Sequence, residues 1–482
     1  MSQKQAIVEQ ALALQSRQAQ VDDPDILPEV TKDDIPVDIA NLTLPVMALG
    51  QMPVSTYQCG TNGLVYEQLI LELPALTPRE QMLMPLFNSC LTEVGSGGRD
   101  YLETQSYQAS VTGGLSARSA IHSKLNAPDD CHSHFIVSGK ALNRNHQPLA
   151  SLIKETLFDA RFDEHARLKD LVGQIRSSID HGITGNGHGL AMMAAVQNFT
   201  PTAQWQFQRS GFAGIQAIKE LDKTLKKKAH LEQFAEDLST IAQKLCQAPK
   251  QALLISDEAG LPQAMAGLKS EWSAMSNVAA TSLFSLHADK TPIHQAWVTS
   301  TQVNFCALAY PAVMADHADA PKLAVLGACL RNGFLHSAIR EKGGAYGGGA
   351  SYNSEASAFV FYSYRDPRLL ETYDDFNLAQ AWLMSNEATQ AKVDEAILNV
   401  ISAMDKPGSP AGEAKKAFYQ TLYGRTHAVR MAYRQGVIST TVDELRTVAE
   451  RYLSANNASR VVLTNKGNAQ KLVDFGFETQ IL

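Results

Sequence analysis

Cysteine is scarce and unpaired in this 482-residue chain: six residues, at positions 59, 90, 131, 246, 306 and 329, with no Cys-x-x-Cys among them. That spacing argues against a thiolate zinc site. Cys90, Cys306 and Cys329 fall in apolar runs and read as small core residues, which fits a reducing compartment. Long apolar runs are also missing. The best, Val303 to Ala315, falls short of the roughly 18 to 20 residues a membrane-spanning helix needs. The opening "MSQKQAIVEQALALQSRQAQ" lacks a signal-peptide core and reads as a helix that starts abruptly. The compartment expected on these grounds is the cytoplasm. Positive charge is short as well: the net charge is −7, and the one basic run is Lys226-Lys227-Lys228, with Lys223 close by and Glu232 and Glu236 following. That run reads as a solvated helix face, and nucleic acid is not an expected partner. Finally, neither His-x-x-Glu-His nor His-Glu-x-x-His occurs anywhere.

Histidine chemistry is correspondingly thin. The densest cluster is "DDCHSH", with Asp129, Asp130, Cys131, His132 and His134. Two histidines at i and i+2 of a strand point the same way, but no third ligand at a helical spacing stands near them. A solvated loop running into a strand is the favoured reading. His188 opens a helix and reads as a local polar cap. His165 and His230 lie on charged helix faces. No metal site is expected on this chain.

What remains is a well-stocked globular sequence. Hydrophobic residues make up 45% and charged residues 19%, ample for a buried core, and the length suggests two to four domains. Residues 2–20 carry a polar helix pattern. Pro24, Pro28 and Pro36 then impose an extended linker. "VSTYQCG" and "GLVYEQLILEL" read as strands, and the intervening Asn62-Gly63 is a hairpin signal. Thr77 caps a helix with Pro78 at its first position. Strands at "GGLSARSAI" and "HFIVSGKAL", a helical block over 147–248 and a strand at "QALLISD" complete the unit. A Gly-, Ser- and Ala-richer passage over 258–292 looks like a boundary. The order then recurs: strands, a long helix with Leu323, Leu326, Leu330 and Phe334 on one face, strands at "AYGGGASYN" and "AFVFYSYRD", helices to about 455, and a last strand at "SRVVLTN". The fold class is α+β, with two tandem homologous repeats of antiparallel sheets flanked by helices. The expected divisions are 1–40 for the helix and linker, 41–260 for the first repeat and 261–482 for the second.

One corner of the second repeat stands out. "AIREKGGAYGGGASYN" (338–353) holds Arg340 in the last turn of a helix and Tyr346 just past a glycine pair, followed by Gly347, Gly348 and Gly349. Gly343-Gly344 stops the helix, so Arg340 and Tyr346 reach the same region. A strand bare of side chains lets another backbone approach, and an exposed edge accepts an extended peptide. An Arg and a phenol beside it suit a peptide carbonyl on which negative charge develops. The residues alone allow plainer readings: Arg340 complementing the helix C-terminus, Tyr346 as an ordinary strand aromatic, the glycines as a bend. A phosphate cradle is disfavoured, since the glycines follow the helix and no Gly-Lys-Ser/Thr appears.

The motif "SAIREKGGAYGGGASY" on a duplicated α+β plan closely resembles the C-terminal half of pitrilysin/insulinase-type zinc metallopeptidases, and more narrowly the presequence-protease branch. The linker "QSRQAQVDDPDILPEVTKDDIP" and the segments "VYEQLILELPALTPREQMLMPLFNSCLTEVG", "TGGLSARS" and "SSIDHGITGNGHGLAMMAA" extend the resemblance over essentially the whole chain. The resemblance implies two halves closing around a chamber. It places an inverted zinc motif and a downstream Glu on the N-terminal half. It places an Arg and a Tyr at this corner, binding substrate backbone near the scissile carbonyl. Arg340 and Tyr346 match that pair. On this reading the chain is the substrate-binding half, one clamshell valve, of an endopeptidase for short unstructured peptides. Zinc and the general base would lie on an N-terminal half, in the same polypeptide or in trans. Alone the chain is expected to bind no catalytic zinc and to cleave nothing. The competing expectation is a non-catalytic paralogue that binds a zinc-bearing partner.

Overall fold

Local signals fix the element ends in this computed structural model, which describes residues 3–18, 28–125, 127–273, 284, 286 and 291–482. The chain divides into a unit ending at Val37 and a unit over Asp38–Leu482. In the first, the helix Gln3–Gln18 is exposed along its described length. Thr31 then caps a short 3-10 turn, its N–H donating to the Asp34 carboxylate at 2.8 Å. Pro24, on which part of the linker expectation rests, lies outside the described residues.

The second unit holds β1 (Val46–Leu49), β2 (Met52–Gln58), β3 (Leu64–Glu72), β4 (Gly95–Ser96), β5 (Leu115–Lys124), β6 (Ala127–Leu142), β7 (Ala160–Arg161) and β8 (Lys250–Ser256). Its later strands are β9 (His294–Val298), β10 (Phe305–Pro311), β11 (Gly347–Asn353), β12 (Ala358–Tyr364), β13 (Ser459–Thr464) and β14 (Glu478–Ile481). Two six-stranded mixed sheets result, ordered β5-β6-β3-β8-β2-β1 and β11-β12-β10-β13-β9-β14. In each, the first four strands of that order pair antiparallel and the fourth pairs parallel with the fifth. Only the sixth differs: β1 runs antiparallel to its neighbour and β14 parallel. The α+β fold with a duplicated plan, read from the sequence, is the observed architecture.

The hairpin signal misleads in one respect. Asn62 and Gly63 do adopt positive φ, 54° and 77°. Yet β2 and β3 do not pair, because β8, from nearly two hundred residues downstream, inserts between them. The turn is anchored instead by the Asp257 carboxylate, which accepts from the Gly63 N–H at 2.9 Å. The passage 258–292 also differs from its expectation at the start: it opens with the helix Gly260–Trp272, whose Ala264, Leu268 and Trp272 sit in the first core. Most of 274–290 lies outside the described residues.

Both faces of each sheet are covered, which explains near-continuous apolar runs such as that of β3. One face of the first sheet packs on its own helices through Val65, Leu69, Leu71, Phe135 and Val137. Its other face, through Ile70, Ile136, Leu253 and Ile255, meets Ala411, Ala414 and Phe418 of the helix Pro410–Leu422. Reciprocally, Phe305, Ala307, Val360 and Leu463 of the second sheet meet Leu190, Ala191 and Ala194 of the helix Gly187–Ala195. Each half of the sequence thus covers the other's sheet. Among the described residues no helix is long and apolar enough to cross a membrane.

Candidate functional site

The corner is built from a helix that changes winding. Ala320–Leu330 is α-helical, and Arg331–Lys342 continues it as a π-helix. Wider winding moves the buried stripe by one residue. Leu323, Leu326 and Leu330 are buried as their spacing predicts, but the stripe continues through Leu335 and Ile339. Phe334, expected on that face, is half-exposed and lies against Trp382.

The helix ends where the glycine pair predicts. Gly344 takes a φ of +76°, a conformation L side chains seldom adopt. Its N–H donates to the Arg340 carbonyl at 3.1 Å, and the Ala345 N–H to the Ile339 carbonyl at 3.1 Å. Arg340 is therefore held by its backbone at the corner while its side chain is exposed. One guanidinium nitrogen lies 3.5 Å from Nε2 of His336, a turn earlier, whose Nδ1 is 3.6 Å from Glu341.

Tyr346 begins the strand side. Its N–H donates to the carbonyls of Tyr364 and Arg365, at 3.1 and 3.4 Å, locking its backbone to the end of β12. Its ring stands edge-on to Tyr364 at 5.3 Å and 87°, yet the residue remains 68% exposed. The phenol is thus fixed at its base and free at its tip. A planar guanidinium and a phenol donor, both solvent-facing, flank the entry to β11.

Strand β11 is the terminal strand of its sheet, paired only with β12 from Gly347↔Tyr364 to Asn353↔Ala358. Its outer backbone edge has no strand partner among the described residues. The three glycines serve different ends. A Cβ on Gly347 would meet nothing within 4 Å; on Gly348 it would come within 2.7 Å of Ile339 Cγ2, and on Gly349 within 2.9 Å of Arg331 Cγ. Gly348 and Gly349 let the strand lie close against the π-helix, and Gly347 leaves open space beside Tyr346.

Sequence reasoning missed the support beneath Tyr346. Tyr364 also touches His188, with ring centroids 4.6 Å apart, and Phe305 at 6.0 Å. The Arg365 guanidinium lies 5.4 Å over its ring. His188, read as a local cap, comes from the helix of the other repeat, and its Nδ1 is buried without a hydrogen-bond partner. Burial lowers its pKa below the ordinary histidine value, favouring the neutral ring. Only the crossing of the Gly187–Ala195 helix onto the second sheet brings it here; nothing local in "GNGHGL" signals that.

The remaining histidines do not make a metal centre. His122, unremarked in the sequence, pairs across strands with His132, and both share a face with His134. The Tyr423 ring packs against all three, at 4.3, 5.6 and 5.8 Å. Among the described residues no group of three or more His, Cys, Asp or Glu side chains is placed to hold a metal ion. The residues present do not fit a catalytic zinc.

Comparison with known proteins follows the same lines. Residues 1–221 match the family of regions associated with peptidase family M16, subfamily C, and residues 294–466 match "PreP C-terminal domain". The mitochondrial presequence protease of Danio rerio is 31% identical over 468 residues, covering 93% of this chain and 45% of that protein. That of Xenopus laevis is 29% identical, covering 95% of this chain and 47% of that protein. The chain spans about half the length of the curated relatives it matches. Among solved structures, a peptidase M16 inactive domain from Pseudomonas fluorescens superposes with a TM-score of 0.60 at 17% identity, covering 88% of this chain and 98% of that one. The periplasmic protease PqqL from Escherichia coli gives 0.59 at 16% identity, covering 93% of this chain and 48% of that one. These structures share the fold.

Proposed function

Because the chain belongs to subfamily C of the M16 metallopeptidases and is homologous to the C-terminal half of presequence proteases, we propose that it is the substrate-binding half of a zinc metalloendopeptidase acting on short, unstructured peptides in a closed chamber. The reading assigns its two repeats, 41–260 and 261–482, to the third and fourth domains of the complete enzyme. The observation that carries it is the exposed pair Arg340 and Tyr346 at the mouth of an open edge strand. A peptide laid along β11 as an added strand gains main-chain hydrogen bonds, and Gly347 leaves its backbone room. Arg340 then holds a carbonyl near the scissile bond, and the Tyr346 hydroxyl donates to the oxygen on which charge develops. Zinc, when bound on the N-terminal half, supplies the activated water; this chain's part is to bind, orient and stabilise.

Co-expression with a zinc-bearing N-terminal half, assayed on a fluorogenic peptide, tests the reading. Cleavage is expected from the pair, from neither half alone, and not in the presence of a chelator. A zinc-bearing half that cleaves equally well without this chain removes the proposed role.

A further inference from the structure

The far end of β11 leads into a second feature. The turn after that strand carries Glu355, whose carbonyl accepts from Ser123 Oγ at 3.3 Å, Thr200 Oγ1 at 3.2 Å and Thr202 Oγ1 at 3.1 Å. Ser123 lies at the end of β5, the terminal strand of the first sheet. The two open sheet edges therefore meet at this turn. At the junction is a cleft of about 360 Å³ between β5 and the helix Pro410–Leu422. Arg118 and His122 reach it from one face of β5. Lys416, Tyr419 and Tyr423 reach it from the helix and the residue just after, at the i, i+3, i+7 spacing of one helical stripe.

The charges in this cleft do not balance. Glu355 is its single carboxylate, and it is already engaged: it accepts from Arg425 at 2.6 Å and from the Ser123 N–H at 3.2 Å, and lies 3.4 Å from His122 Nδ1. Arg118 and Lys416 have no carboxylate partner among the described residues. Arg118 lies 5.2 Å over the Tyr419 ring, which stacks on Tyr423 at 5.8 Å. The Tyr419 hydroxyl is tied to Gln68 at 2.9 Å, so the aromatic wall is held in place. Burial, and then the nearby charges of Arg118 and Lys140, lower the pKa of Lys415 on the same helix, a sign of crowded positive charge with too little negative to answer it.

We propose that this cleft is a carboxylate-binding subsite for an extended peptide lying along β11, gripping an acidic side chain or the C-terminal carboxylate. Seven strand residues at about 3.3 Å each span roughly 23 Å, so the gripped group lies about seven to nine residues from the bond at Tyr346. The proposal rests on the peptide-binding reading of the corner and adds a charge preference to it.

The test uses the 482-residue chain and four dansyl-labelled fourteen-residue Gly/Ser/Ala peptides. Two carry a Glu pair near the C-terminus and two carry Gln there; each is made with a free and with an amidated C-terminus. A carboxylate from either source is expected to tighten binding about five- to tenfold over the amidated Gln peptide. The preference is expected to vanish in the Arg118→Gln/Lys416→Gln double variant, whose changes are at exposed positions. A Glu effect with either terminus assigns the side chain; an effect of the free terminus alone assigns the C-terminal carboxylate. Equal affinity for all four peptides, binding by none, or a preference that survives the double variant overturns the proposal. The corner is judged separately by Tyr346 variants in the complete enzyme, so the subsite and the peptidase reading fail independently.

Discussion

Tyr346→Phe in the complete two-half enzyme is expected to lower kcat on the order of 100-fold while changing KM by no more than about twofold. The argument is geometric. The hydroxyl is the only atom removed, and in this chain it has no hydrogen-bond partner among the described residues, so the folded protein loses nothing with it. The ring's edge-on contact with Tyr364 and the backbone bonds to Tyr364 and Arg365 remain. A donor aimed at an oxygen that becomes charged only in the transition state changes kcat; one that binds the ground-state carbonyl changes KM. Arg340→Lys is the companion. It keeps the charge but removes the flat fork of donors, and it is expected to raise KM as well as lower kcat, since Arg340 grips the peptide before reaction. Steady-state kinetics on one fluorogenic peptide separates the two. A Tyr346→Phe enzyme with unchanged kcat and raised KM would confine the phenol to substrate binding. Unchanged kinetics in both variants would remove the corner from the mechanism.

Legibility in the sequence followed the range of the interactions. Thr77 with Glu80, Asp100 with Glu103, and Thr441 with Glu444 close capping boxes within four residues, and all are visible as Ser/Thr/Asp-x-x-Glu patterns. The same holds for the corner: the Gly343-Gly344 stop, Arg340 before it and Tyr346 after it are local facts, and the structure places them at the mouth of an edge strand. Partner choice across the chain was hidden. Asn62-Gly63 makes the turn it advertises, but β8 is the better neighbour for both flanking strands, and nothing between residues 52 and 72 encodes its arrival. His188 and Tyr364 meet only because one repeat's helix covers the other repeat's sheet. His122 joins His132 by strand register, over a separation no motif search spans. The π-winding after Leu330 was hidden too, since it leaves composition untouched and only displaces the stripe from Phe334 to Leu335.

A buried carboxylate far from any of these sites governs the second large effect. Glu67, on β3, is 2% exposed and lies between Gly139 and Leu254 of the flanking strands, on the face that packs against the helices of the first repeat. Its Oε1 has no hydrogen-bond partner. Burial, and then the charge of Glu271, push its pKa up from 4.5 to about 8. The Glu271 carboxylate is itself engaged by Gln147, Ser151 and Lys154, so it has little reason to give up its charge. A carboxyl whose folded pKa is raised stays neutral in the native protein while the unfolded chain ionises. Stability is therefore unaffected below about pH 4.5, declines as pH rises from there to about 8, and levels off above. The accumulated loss at pH 9 is on the order of a few kcal/mol, since each pKa unit corresponds to about 1.4 kcal/mol. Glu67→Gln replaces the acid with a neutral group of the same shape. It is expected to leave the melting temperature at pH 4.5 nearly unchanged and to raise it at pH 9 by about 5 °C or more. Melting curves of both proteins across that range decide the matter: parallel pH dependences would mean that Glu67 ionises in the native state with a partner or water that offsets its burial.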